Sequence, residues 1–183
     1  MSKQETTDYR AYRSTFTKKA QQIVQKLSLE EKIYLMSGLR TMEEVRKSIQ
    51  KKVNTHYNEV PYRAGGIDGK VPPVLFADGT KGVVCDRKTY TCFPVESMRG
   101  ASFDPMLEKE IGEAIGAEVL LAGANLFGGV CVNLPYHPGW GRAQETFGED
   151  PYLLGEMGAA LVEGVQTTGV IACVKHFAFN SME

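Results

Sequence analysis

Residues Gly139–Glu183 read GWGRAQETFGEDPYLLGEMGAALVEGVQTTGVIACVKHFAFNSME. Asp150-Pro151 is a helix-opening pair: the carboxylate can cap free N–H groups, and proline lacks an N–H where none is needed. From Pro151 to about Gln166 the residues read as an amphipathic helix, and Gly169 suits its end. The apolar run Val170–Val174 then has the length of a buried strand and delivers Lys175-His176-Phe177. A helix feeding a short apolar strand is the repeating step of a parallel βα sheet.

The same step occurs upstream. Asp104-Pro105 opens a second helix candidate reaching about Ala122, and Val74–Ala77 and Gly129–Leu134 are two further strand candidates. Short apolar strands alternating with amphipathic helices predict an α/β fold of parallel βα units. Between Lys19 and Leu39, the apolar residues Ile23, Val24, Leu27, Ile33, Leu35 and Met36 carry a helical pattern. Ser28 and Glu31 stand at capping-box spacing, so this segment reads as two helices hinged near Leu27-Ser28. Met42 to about Lys52 reads as a surface helix. Asn54–Pro73, with several Gly and Pro, reads as an irregular loop. Residues 1–18 are polar and expected to form a flexible arm, leaving 19–183 as the folded portion.

Composition excludes several classes. Lys and Arg total 21 against 22 Asp and Glu, a net charge of −1, which gives no footing for nucleic acid or an anionic membrane. No secretory h-region and no membrane-length apolar window is visible, so a cytosolic location is expected. Cys131 and Cys173 lie in apolar runs and are expected to be buried free thiols. Gly65-Gly66-Ile67-Asp68-Gly69-Lys70 lacks phosphate-loop spacing, with Val71 where Ser or Thr is needed. His56, His137 and His176 are scattered, without zinc-site spacing. No cofactor or metal is expected.

In βα barrels, ligands meet residues at the C-terminal ends of the strands. Val74–Ala77 runs into Asp78-Gly79. Gly129–Leu134 passes Asn133 and Pro135 into a loop holding His137, Trp140 and Arg142. Val170–Val174 runs into Lys175 and His176. Three segments thus deliver polar groups to one predicted edge. Vicinal sugar hydroxyls accept from Lys or Arg and donate to Asp, so Asp78, Arg142, Lys175 and His176 suit a sugar. Neighbouring strand residues face opposite ways, so Lys175 and His176 reach one ligand only where the strand has ended or is distorted.

Plainer roles exist for each residue. Asp78 before Gly can simply make a turn, Arg142 can be a structural ion-pair partner, and His176 a satisfied core histidine. Glu145, Glu149 and Asp150 suit caps and loop ties. Trp140 reads equally as packing or as a platform for a sugar ring. The order and convergence of the set favour a site.

Gly141-Arg142 through Glu145 to Phe147-Gly148-Glu149-Asp150-Pro151, followed by Lys175-His176-Phe177, Asn180 and Glu183, resembles glycoside hydrolase family 3. That family shares GR-x-x-E-x-(F/Y)-G-E-D-P and then K-H-F-x-x-N-x-x-E. Leu27-Ser28-Leu29-Glu30-Glu31-Lys32-Ile33 resembles its opening helix, and Ala64-Gly65-Gly66, Pro72-Pro73, Asp78-Gly79, Phe93-Pro94 and Ser102-Phe103-Asp104 add weaker matches. The resemblance implies a retaining exo-acting β-glycosidase, whose two carboxylates stand about 5–5.5 Å apart and work through a glycosyl-enzyme. It implies Asp78, Arg142, Lys175 and His176 as the −1 subsite, with β-glucosides the commonest substrates and β-xylosides next. Thr80-Lys81 and Tyr136 depart from frequent family residues. Ala178-Phe179-Asn180 after Lys175-His176-Phe177 disfavours the N-acetylhexosaminidase branch.

The family's nucleophile and acid/base lie beyond the segment matched, so no catalytic residue is expected in this chain. At 183 residues, against roughly 250 for a complete barrel, an incomplete, roughly half TIM-type barrel is expected. Such an open sheet should associate with itself or with a complementary C-terminal fragment. A noncatalytic carbohydrate-binding or structural subunit of a split enzyme is the alternative reading.

Overall fold

The computed structural model describes residues 9–38, 46–47, 62–85, 88–177 and 180. The chain divides into two compact units, Met1–Leu39 with Ala64–Pro73, and Arg40–Arg63 with Val74–Glu183.

The first unit begins with α1 (Tyr9–Ser14), α2 (Thr17–Gln25) and α3 (Leu29–Leu35). The hinge falls where expected. Ser28 Oγ accepts from Glu31 N, and the Glu31 carboxylate accepts from Ser28 N at 2.9 Å, closing the capping box. Lys70 donates to the same carboxylate, and that bond with the Ser28 amide holds Glu31 below the usual carboxylate range. The segment 1–18, read as a flexible arm, carries α1 and the start of α2. Tyr12 and Phe16 meet edge to face, centroids 5.3 Å apart, an i,i+4 contact that favours helical geometry. The helix expected over Met42–Lys52 lies mostly outside the described residues; Arg46 and Lys47 are helical and exposed. Of the loop expected over Asn54–Pro73, Tyr62–Ala64 forms strand β1.

The second unit holds β2 (Val74–Ala77), α4 (Glu96–Gly100), α5 (Pro105–Leu121), β3 (Leu126–Cys131), α6 (Pro151–Thr167) and β4 (Ile171–Lys175). The sheet order is β1-β2-β3-β4. β2 and β3 pair in parallel, as do β3 and β4, with Cys131 opposite Lys175. The fold is α/β with parallel βα units and an unclosed sheet, in keeping with part of a TIM-type barrel. Among the described residues no helix is long and apolar enough to cross a membrane.

Both Asp-Pro signals act as expected. Asp104 accepts from Met106 N and Leu107 N at the start of α5, and Asp150 from Leu153 N at the start of α6. α5 and α6 pack on each other through paired glycines. A Cβ on Gly164 would overlap the Lys109 carbonyl, and one on Gly112 would stand 2.7 Å from the Leu161 carbonyl oxygen. The core lies between these helices and the sheet: Ile115 and Val119 from α5, Met157, Leu161 and Val165 from α6, Phe127 and Val130 from β3.

The register between β3 and β4 shifts between Phe127 and Val130. Gly128 and Gly129 occupy that step, and a Cβ on Gly129 would overlap the Gly79 carbonyl. A glycine in a strand marks such an irregularity and a close backbone approach. Here it lets the Asp78-Gly79 loop settle onto β3.

Cys131 is buried as expected, but Cys173 is exposed. Val170, just before β4, and Ala172 within it join the core, while Ile171 and Cys173 on the opposite face are exposed, as is Val174 near the strand's end. An apolar run does not reveal which of its alternating faces is covered.

Candidate functional site

Because the strands run in parallel, the chain leaves β2, β3 and β4 at one edge of the sheet. There Lys175 Nζ lies 3.1 Å from Asp78 Oδ1, both side chains largely shielded at 15% and 17% exposure. Gly79 N also donates to Asp78 Oδ1 at 2.9 Å. Both bonds fall on one oxygen, so Oδ2 retains acceptor capacity. Arg142, in the loop after β3, grips Glu145 with Nε to Oε1 at 2.9 Å and Nη2 to Oε2 at 2.6 Å. The short 3-10 turn Ala143–Glu145 makes that fork geometry possible at a spacing of three residues.

These two ion pairs and His176 line one cavity of about 360 Å³, completed by Gly79, Thr80, Lys81 and Val84. All four sequence-derived site residues, Asp78, Arg142, Lys175 and His176, are therefore brought together. Lys175 closes β4 while His176 lies beyond it, and the peptide joining them is cis; both line the cavity. A larger cleft of about 1010 Å³ includes Ser97, Tyr136, His137, Gln144, Thr146 and Glu149. His137 belongs there. The smaller cavity is the better candidate of the two, since it gathers charged groups from at or beyond the ends of three strands. Trp140, at 3% exposure, is packing and presents no platform.

The loop ties read from the sequence are present: Glu145 holds Arg142, and Asp150 caps α6. Three features went unread. Asn133, just past β3, accepts from His176 N at 3.0 Å and lies 2.9 Å from His176 Nδ1. Thr80 is held from behind, its carbonyl accepting from Arg99 Nη2 at 2.9 Å. Arg99 itself is buried with two carboxylates, Nη2 at 3.3 Å from Glu96 Oε1 and Nη1 at 3.0 Å from Glu108 Oε1, and lies over the Phe147 ring.

That triad has an excess of carboxylate. Burial pushes Glu96 up to about 9, against the pull of Arg99 and with repulsion from Glu108 added. Burial likewise pushes Glu108 up to about 7. With one arginine for two carboxylates, a proton on Glu96 leaves the dry cluster without net charge. Among the described residues no group of three or more His, Cys, Asp or Glu could hold a metal ion.

The cavity offers fixed donors (Lys175, Arg142) beside acceptors (Asp78, Glu145), an arrangement suited to a polyhydroxylated ligand. The family model for the glycosyl hydrolase family 3 N terminal domain matches residues 13–181. The chain belongs to glycoside hydrolase family 3. Beta-glucosidase B of Emericella nidulans is 34% identical over 165 residues, covering 88% of this chain and 17% of that protein. Thermostable beta-glucosidase B of Acetivibrio thermocellus is 32% identical over 172 residues, covering 88% of this chain and 20% of that protein. Beta-glucosidase 3B of Thermotoga neapolitana, solved in complex with alpha-D-glucose, superposes with a TM-score of 0.76 at 32% identity, over 90% of this chain and 24% of that one. This family 3 chain thus spans about a fifth of the length of the relatives it matches.

Proposed function

We propose that this family 3 chain supplies part of the −1 sugar subsite of a retaining, exo-acting β-glucosidase. Asp78, Arg142, Lys175 and His176 hold the nonreducing sugar. The observation that carries the reading is the Lys175–Asp78 pair at 3.1 Å, set in one cavity with Arg142 and His176. Lys175 and Arg142 donate to ring hydroxyls, while the remaining capacity of Asp78 accepts from them. Charge-assisted bonds of this kind, aimed at hydroxyls, give both affinity and rejection of ligands without hydroxyls.

The reactive carboxylates are contributed by residues outside this chain. The two acids that line the cavity, Asp78 and Glu145, are each tied to a cation, which suits them to binding and not to nucleophilic attack. Glucosides are preferred over xylosides in this reading, because the relatives carry the name beta-glucosidase and the Thermotoga neapolitana structure holds glucose. A chromogenic aryl β-glucoside tests it. The purified chain is expected to bind glucose and to release no chromophore. Robust turnover by the chain alone would show that a nucleophile had been overlooked.

A further inference from the structure

We propose that Asn133 is a positioning residue for His176, its side-chain carbonyl holding the imidazole in the Nδ1–H tautomer so that Nε2 carries the lone pair. Asn133 is buried at 7% exposure. Its Oδ1 lies 3.0 Å from His176 N and 2.9 Å from His176 Nδ1. A backbone N–H can only donate, so the atom facing it must be the amide oxygen, and the amide orientation follows. The same oxygen faces Nδ1 at hydrogen-bond distance. Two acceptors cannot share that contact, so Nδ1 carries the hydrogen. A neutral imidazole has one N–H, which leaves Nε2 as acceptor.

Cys131 reinforces the arrangement. Its Sγ lies 3.5 Å from Asn133 Oδ1 and 3.9 Å from His176 Nδ1. Burial pushes its thiol up to about 11, so it stays a thiol at neutral pH and donates to Asn133. It cannot become a thiolate that would draw the Nδ1 hydrogen away. Asn133 Oδ1 thus gathers donors from β3 and from the residue after β4, tying the two strand ends together. The functional consequence rests on the sugar-subsite reading. Beside Lys175 and Arg142, which only donate, His176 Nε2 supplies an acceptor for a sugar hydroxyl, complementing Asp78.

The test is long-range proton–nitrogen NMR on the 183-residue chain with nitrogen-labelled histidine, at a pH about one unit or more above the ordinary imidazole value of about 6.5. His176→Gln identifies the His176 signal by its loss. The expected result is a single Nδ1–H tautomer for His176. Asn133→Ala should give a tautomer-averaged signal, and Asn133→Asp, which keeps an acceptor oxygen at that point, should restore Nδ1–H. An Nε2–H or averaged signal in the unmodified chain overturns the proposal, as does an Asn133→Ala spectrum indistinguishable from it. If Asn133→Ala does not fold, the unmodified chain and Asn133→Asp still decide. Added glucose separates the two claims: a fixed Nδ1–H tautomer whose Nε2 resonance ignores saturating glucose would sink the subsite reading and leave the Asn133 assignment standing.

Discussion

Lys175 and Asp78 stand 97 residues apart in the chain and meet at 3.1 Å. Neither is brought there by local structure. Asp78 follows β2 and Lys175 ends β4, with β3 between them, so the pair spans the central strand of the parallel ladder at its C-terminal edge. The ion pair fixes two groups of opposite sign in one cavity, and in the proposed subsite such preorganisation would lower the ordering cost of binding.

Removing either partner should therefore cost at least one charge-assisted bond. When the chain is combined with the segment supplying the carboxylates, Lys175→Ala or Asp78→Ala is expected to lower kcat/KM on an aryl β-glucoside by about 1.5–3 kcal/mol, roughly ten- to a hundredfold or slightly more. Steady-state kinetics checks this. A change below about threefold would remove the residue from the subsite.

Arg99 tests the buried triad. Arg99→Ala strands Glu96 and Glu108 in the core and releases the Thr80 carbonyl. Removing one partner of such a buried cluster is expected to cost about 3–5 kcal/mol, read from urea unfolding. An effect below about 1 kcal/mol, the scale of an exposed ion pair, would contradict the burial described.

The same triad sets a pH dependence. Glu96 has its folded value raised from 4.5 to about 9 by burial, facing Arg99, Glu108 and Lys175. A carboxyl that prefers its proton in the folded state contributes stability fully present below about pH 4.5, and that contribution is lost as pH rises toward 9. Glu108, raised to about 7, acts in the same direction. Thermal unfolding across pH 5–9 should show Tm falling toward alkaline pH more steeply than in Glu96→Gln. Parallel curves for the two proteins would refute the assignment.

The outer side of β4 leads to a prediction about association. Among the described residues β4 pairs only with β3, and Ile171 and Val174 are half exposed on it. An apolar edge strand recruits further strands. Light scattering over a concentration series is expected to show self-association, and Val174→Lys is expected to weaken it. A concentration-independent monomer would contradict this.

Much of this architecture was legible because its signals are local. Each Asp-Pro pair is a cap and first-turn residue in adjacent positions, and the strands between them are short apolar runs, so element type and strand direction followed, and with them the edge where Asp78, Arg142, Lys175 and His176 meet. What stayed hidden depends on partners distant in sequence. Nothing local marks the charged Glu96 and Arg99 as buried; Arg99 is enclosed by Glu108 from α5 and the Phe147 ring, while Met98 between them is exposed. Asn133 gains its role from His176, which arrives after a further helix and strand. The exposure of Cys173 depends on which face of β4 a helix covers. The β1 strand is three residues long, too short for any periodicity to show.

The most direct measurement of the central claim is a glucose titration of the 183-residue chain followed residue by residue by NMR, repeated on Asp78→Ala. We expect saturable shifts concentrated at Asp78, Arg142, Lys175 and His176, and binding weakened about tenfold or more in the variant. Shifts centred instead on the Tyr136–His137 cleft, or binding unchanged by Asp78→Ala, would contradict it.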